Sequence, residues 1–339
     1  ASWRFGCAGF FNRTTATDWS ASTQGGTNTA AMSVSPTIYP ANGLIYTFTP
    51  DAPTAAPNLP SVVSPTDTAT NVLATSTLNW TDGGGWTNGF KLYLGTTTLD
   101  YVGDLGYVTS YDPPGDMAYS TAHQWKVVPY NSQGDNLTGA TWTFTTAGPP
   151  LTGTKTIGSG GDYATFTAAI NDLNTVGVGT GGVTFNVAAG TYAENPPAIT
   201  VTGTSANPII FQAAPGARVN PVLTPAGGSG TFGFKLNGSD YVTFDGIDIN
   251  GPNTLVYGYW LAGLTGNGAN NNTIINSTIT MPYGSVTNYA IYSLGVTNGA
   301  NSYNTYESNT IASNTYYGIY LSGSTTAGHE GLNNTIASN

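Results

Sequence analysis

At 339 residues the chain is long enough for two or three domains, and charged residues make up only 7% of it against a usual quarter. A formal net charge of −10, from 7 Lys and Arg against 17 Asp and Glu, argues against nucleic acid or anionic membrane as a partner, because both ask for clustered cations. No apolar run reaches the ~18–20 residues that span a bilayer, while 12% aromatics and the low charge argue against disorder.

Thr, Ser, Asn and Gly take the place of the missing charge, which suits a β-rich extracellular protein with a neutral polar surface. No signal peptide opens the sequence, so we expect a processed start or a position inside a longer protein. The single Cys7 excludes an intrachain disulfide and a cysteine metal cluster, and no cofactor is expected. Two Pro-rich stretches, "PDAPTAAPNLP" at 50–60 and "AGPPLTG" at 147–153, divide the chain. Each follows an alternating aromatic and Thr run, "GLIYTFTP" (43–50) and "GATWTFTT" (139–146), that reads as a last strand ended by proline. Residues 1–50 are therefore expected to form a small β unit, or the tail of a preceding domain, with Trp3, Phe5, Phe10, Phe11 and Trp19 as a modest core.

Within 55–148, the runs "STLNWT", "GFKLYLG", "HQWKVVPYN" and "ATWTFTT" alternate with period two. That period places Leu78 with Trp80, Phe90 with Leu92, and Trp125 with Val127 on one face. About ninety residues of this kind suit a two-sheet sandwich. Pro65, Trp80, the "KLYLG" strand with Tyr93, Trp125, the "PYNSQG" turn and the closing "WTFTT" make the segment resemble a fibronectin type III domain. Two residues before Trp125, where that family has its corner tyrosine, stands His123, expected to supply the corner hydrogen bond instead. The resemblance implies a spacer or binding module.

The third segment, 152–339, opens on "GGDYATFTAAINDLN", where Phe166, Ala169, Ile170 and Leu173 fall at i, i+3, i+4 and i+7, predicting an amphipathic helix near 163–173. Strands follow in "GVTFNVAAGTYAEN" (182–195) and "NPIIFQAAPG" (207–216). Then a motif repeats: "FGFKLNG" from Phe232, "YGYWLAG" from Tyr257, "YAIYSLG" from Tyr289 and "YGIYLSG" from Tyr317, at intervals of 25, 32 and 28 residues. A second motif alternates with it, "TFDGIDI" from Thr243, "TIINSTI" from Thr273, "TYESNTI" from Thr305 and "TIAS" from Thr335, at intervals of 30, 32 and 30. Two short strands recurring together every ~30 residues, without helical periodicity, point to one unit laid repeatedly on itself.

The expected stack has Phe234, Tyr259, Ile291 and Ile319 in one inward column, and Leu236, Leu261, Ser293 and Leu321 in a second. A neighbouring column, Gly233, Gly258, Ala290 and Gly318, is always small. In the second motif Phe244 and Ile249 are both apolar in every full copy, yet their odd spacing would split them across a straight strand. A bend near Gly246, Asn276 and Ser308 returns both to the interior. The phrases "GSGGDYATFTAAI" and "FNVAAGTYAEN" resemble the N-terminal cap of the pectin-lyase-like right-handed parallel β-helix, in particular that of pectin methylesterase-like proteins. The expected fold is thus all-β: a fibronectin type III-like sandwich followed by a right-handed β-helix with an N-terminal capping helix. Because Asn339 falls inside the last copy of the second motif, further rungs are expected beyond it.

The resemblance implies polysaccharide-active enzymes, but the residue pattern gives that reading little. From 150 onward the bases are Lys155, Arg218, Lys235 and His329. The weak catalytic candidates are Asp245 and Glu307, in one repeat column with Ile275 between them, about 9–10 Å apart and near the limit for an inverting pair. The outward column Lys235, Trp260, Tyr292 and Tyr320 is the stronger signal. Two readings of it stand side by side: a ladder that only stabilises the sheet, or a surface for sugar rings or a protein partner. The expected function is a bacterial secreted or cell-surface structural or adhesive protein, a candidate filament subunit that associates with itself or with polysaccharide. The alternatives are a polysaccharide-active enzyme whose site lies elsewhere and a non-catalytic carbohydrate-binding protein.

Overall fold

The computed structural model describes the backbone of residues 32–39 and 43–50, and residues 53–228, 230–284, 287–312, 315–324 and 331–339 in full. Cys7, the aromatics expected to form a core before residue 20, and His329 lie outside the described residues. The chain divides into two compact units, Ala1–Thr146 and Ala147–Asn339.

In the first unit, β1 (Met32–Tyr39) and β2 (Gly43–Pro50) pair antiparallel along their whole length. There follow β3 (Ser61–Ser64), β4 (Ala69–Val72), β5 (Leu78–Thr81), β6 (Gly89–Gly95), β7 (Asp100–Asp104), β8 (Ser110–Tyr111), β9 (Ala122–Asn131), β10 (Gly134–Asp135) and β11 (Trp142–Thr146). One sheet has the order β3-β5-β8; the other runs β4-β11-β9-β6-β7, with β10 paired to β9. The alternating residues Leu78, Trp80, Phe90, Leu92, Trp125 and Val127 all lie in one core, none more than 2% exposed. His123 is buried, its ring stacked on Phe144 at 5.2 Å and its Nε2 3.4 Å from the Ala118 carbonyl oxygen.

The second unit begins with β12 (Leu151–Ile157), α1 (Phe166–Val176), β13 (Val178–Val187), β14 (Thr191–Tyr192), β15 (Ile209–Ala213) and β16 (Val222–Leu223). The repeats then supply β17 (Phe232–Asn237), β18 (Val242–Asp245), β19 (Asp248–Asn250), β20 (Tyr257–Ala262), β21 (Thr273–Ile275) and β22 (Thr278–Thr280). They continue with β23 (Tyr289–Leu294), β24 (Thr305–Glu307), β25 (Thr310–Ile311), β26 (Tyr317–Ser322) and β27 (Thr335–Ala337). These build three sheets, β12-β13-β15-β18-β21-β24-β27, β14-β16-β19-β22-β25 and β17-β20-β23-β26, and every strand pair in them is parallel. From β15 onward the chain visits the three sheets in rotation, so the unit is a parallel β-helix.

The helix buries Phe166, Ala169, Ile170 and Leu173 completely and runs on to Val176, three residues further than the periodicity predicts. Gly177, at φ +76°, ends it, and the Thr165 hydroxyl accepts from the Ala168 N–H at its start. A second cap comes from the solenoid itself: both carboxylate oxygens of Glu194 accept from the first-turn N–H groups of Phe166 and Thr167, at 2.9 and 2.8 Å.

Inside the stack like residues meet in register. Phe185, Phe211, Phe244, Ile274, Tyr306 and Ile336 form one column through the first sheet. Phe244 and Ile249 both face inward because Gly246 between them turns the chain at φ +65°; Asn276, Ser308 and Ser338 hold the same left-handed conformation one rung after another. The small column has a steric cause. A Cβ on Gly258 would lie 2.4 Å from the Ala290 carbonyl oxygen and within 3.2 Å of Met281 and Ile279.

Asparagines close a further corner. Asn272 donates to the Ser239 carbonyl and accepts from Val242 N–H, Asn304 donates to Ala269 and accepts from Asn272 N–H, and Asn334 donates to Asn301 and accepts from Asn304 N–H. Asn272 and Asn304 thus satisfy an N–H and a carbonyl of the preceding turn where water has no access, and the half-buried Asn334 does the same one rung later.

Burial pushes the phenol groups of Tyr259 and Tyr306 well above their ordinary value of 10. A raised folded-state value means that their contribution to stability is full below pH 10 and falls as pH climbs past it, by about 1.4 kcal/mol per pH unit and per phenol. An alkaline titration followed by phenolate absorbance should show these tyrosines ionising together with loss of solenoid structure. Ionisation in the still-folded chain at pH 10 would contradict it.

Candidate functional site

The outer face of the third sheet carries two aromatic columns rather than one. Register pairs Lys235 with Trp260, Trp260 with Tyr292 and Tyr292 with Tyr320. Beside them Phe232, Tyr257, Tyr289 and Tyr317 pair in the same way. Strict alternation would send positions 232 and 235 to opposite faces. Instead the two residues between them, Gly233 with Phe234 and their equivalents on the next two rungs, are buried in succession, and both flanking positions turn outward. Only a small residue fits the first buried place, for the steric reason seen at Gly258. The second column was missed in the sequence for this reason, although an aromatic residue opens every copy of the motif.

The rings form one connected field. Tyr257 lies 5.6 Å from Tyr289 and Tyr289 lies 5.0 Å from Tyr317, with planes inclined by 20° and 10°. Tyr292 stacks on Tyr320 at 5.5 Å and 22°. Between the columns Tyr257 meets Trp260 at 4.5 Å and Tyr292 at 4.8 Å, and Tyr289 meets Tyr292 at 4.7 Å. Tyr316 and Tyr283 extend the field sideways, 5.0 Å apart. Lys235 holds its ammonium 4.0 Å above the Trp260 ring, and burial pulls its pKa down. Neighbouring phenols and burial push Tyr317 up, and burial followed by neighbouring phenols does so for Tyr289 and Tyr292, so these three phenols are neutral near pH 7. The Trp260 N–H is enclosed without an acceptor, and the ring is held by its aromatic neighbours and by Lys235.

Tyr257, Tyr289 and Tyr317 stack on one another and Tyr292 stacks on Tyr320, whereas Trp260 meets Tyr292 edge-on at 6.3 Å and 61°. Tyr317 and Tyr320 are exposed by 38% and 39%. Such a face is apolar, hydroxyl-studded and nearly free of charge.

The carboxylates lie elsewhere. Asp245, Ile275 and Glu307 occupy one column of the first sheet, with the isoleucine between them. Asp245 accepts from the Asn276 side chain at 2.8 Å, and Glu307 is exposed. Asp248, beyond the Gly246 bend, sits on the second sheet and accepts from the Asn220 side chain and Thr278 N–H. Among the described residues no group of three or more His, Cys, Asp or Glu could hold a metal ion. A cavity of about 330 Å³ opens beside the start of α1, but its carboxylate, Glu194, is already spent on the helix.

The sequence matches no protein-family profile and no curated protein. Among solved structures it is similar to a rhamnogalacturonan lyase, at 14% identity and a TM-score of 0.38 over 55% of this chain and 50% of that one. A family 28 exopolygalacturonase of Yersinia enterocolitica aligns at 9% identity and a TM-score of 0.20, over 76% of this chain and 70% of the other. This chain thus spans half the length of the lyase it matches. Its assignment as a parallel β-helix rests on its own strand pairing.

Proposed function

We propose that the chain is a secreted or cell-surface structural or adhesive protein, in which a fibronectin type III-like sandwich is a spacer and the β-helix presents the aromatic face for contact. The observation that carries this reading is the continuity of that face: two in-register columns on consecutive rungs, with Lys235 their one charged member. A neutral, apolar surface of this kind is stabilised by covering it. Low overall charge weakens the repulsion that would keep copies apart. The stacking of Tyr257 on Tyr289, Tyr289 on Tyr317 and Tyr292 on Tyr320 engages part of the π surface that sugar rings would use, which favours a protein partner, including another copy of the chain. Catalysis finds less support, since Asp245 and Glu307 are divided by Ile275 and no basic side chain joins them in their column.

Sedimentation of the full chain over a range of concentrations tests the reading. Concentration-dependent association is expected, reduced at least tenfold in apparent affinity by Trp260→Ala with Tyr292→Ala, a loss of about 1.4 kcal/mol or more. A dispersed monomer at every concentration, or assembly untouched by the double variant, overturns it. Retention of the wild type on insoluble polysaccharide, lost in the same variant, selects the carbohydrate-binding alternative. Release of reducing ends or unsaturated products from polyuronides, abolished by Asp245→Asn, selects the enzyme.

A further inference from the structure

We propose that the tyrosine face is a site of oxidative coupling, in which a one-electron oxidant joins in-register tyrosines of adjacent rungs, Tyr289 to Tyr317 and Tyr292 to Tyr320, through a carbon–carbon bond. This goes beyond the contact role and does not depend on what the face touches.

Three features converge on it. The rings already stand in pairs, with centroids 5.0 and 5.5 Å apart and planes inclined by 10° and 22°. One member of each pair, Tyr317 and Tyr320, is exposed enough to meet an oxidant, while its partner lies half-buried beneath the same field of rings. The rings also touch across the columns, Tyr289 to Tyr292 at 4.7 Å and Tyr289 to Tyr320 at 5.4 Å, so a radical formed on one phenol has neighbours to pass to before it meets solvent. Strand pairing fixes the backbones of each pair directly opposite one another. Joining the rings then asks for tilting about side-chain bonds more than for approach.

The chemistry balances with hydrogen peroxide acting through a haem peroxidase. Each phenol gives up one electron and its O–H proton, leaving a phenoxyl radical with spin density on the carbons beside the oxygen. Two such carbons bond, and the hydrogens they carried are lost as protons while the two oxygens regain theirs. In sum two tyrosines lose two electrons and two protons, and one hydrogen peroxide takes them up to become two waters. The product is a covalent staple between neighbouring rungs. With one cysteine in 339 residues the chain has no disulfide to serve that purpose.

The test is limited oxidation of the full chain at low concentration with a peroxidase and substoichiometric hydrogen peroxide, followed by dityrosine fluorescence, denaturing electrophoresis and peptide mapping. Dityrosine is expected within single chains, in cross-linked peptides that contain Tyr289 with Tyr317 or Tyr292 with Tyr320. Tyr317→Phe with Tyr320→Phe, which keeps the ring packing and removes the exposed phenols, should lower the yield several-fold. Tyr119 and Tyr303 are the internal controls, since they are 38% and 58% exposed and lie outside this field of rings. Coupling that maps to those two as often as to the face, that occurs only between chains, or that is undiminished in the double variant overturns the proposal.

Discussion

Replacing Phe211 with alanine should cost the solenoid about 3–5 kcal/mol. The ring is fully buried and sits in the middle of a stack, 4.6 Å from Phe185 on one rung and 5.3 Å from Phe244 on the next, with planes inclined by 13° and 14°. It also faces Phe166 of the helix at 6.4 Å, so the cavity would open between the cap and the rungs it covers. Neither neighbour can collapse into that space, because each is held in its own rung by backbone pairing to both sides. Phe211→Leu, which keeps most of the volume, should lose much less. Hydrogen exchange of β13, β15 and β18 reads the solenoid separately from the sandwich. A loss below about 1 kcal/mol would show that the site relaxes freely.

Asn304→Ala should cost about 2–6 kcal/mol although it removes no apolar contact of note. The side chain is fully buried and holds the Ala269 carbonyl at 3.0 Å and the Asn272 N–H at 2.8 Å. Truncation leaves both backbone groups without a partner in a place closed to water, at about 1–3 kcal/mol each. Asn334 repeats the same geometry one rung later but is only half-buried, so Asn334→Ala should cost clearly less, because water can replace the amide there. Equal effects at the two positions, read by the denaturation midpoint, would mean that burial is not what sets the cost.

The two asparagines also show where sequence reading stops. The sequence pointed to the bend at Gly246, Asn276 and Ser308 and not to this further corner, where Tyr303 and Asn333 take the left-handed conformation just before the two asparagines. Their hydrogen bonds reach one rung back, and only the three-dimensional stack shows that the amide of one turn satisfies an N–H and a carbonyl of the turn before it. The columns headed by Phe234 and Phe244 were legible for the opposite reason: apolar identity repeats at the rung period, and parallel pairing forces like onto like. The bend at Gly246, Asn276 and Ser308 followed from an odd spacing of two apolar columns. The column Phe232, Tyr257, Tyr289 and Tyr317 did not follow, because period two fails where a small residue lets two consecutive positions turn inward. Thus the row through Trp260 could be read and its width could not. The Glu194 cap was invisible for another reason, since 28 residues separate it from the N–H of Phe166.

The rung architecture has a mechanical consequence. Equivalent positions Thr243, Thr273, Thr305 and Thr335 are 30 to 32 residues apart along the chain, yet they sit opposite one another in adjacent strands. A pull along the stack that detaches one rung would therefore release about 100 Å of extended chain in place of a rise of about 5 Å. Under tension such a protein lengthens in discrete steps, each absorbing work before the next rung is loaded. The stack is in that sense a coiled reserve of length, and a bond between Tyr289 and Tyr317 would lock one turn of it.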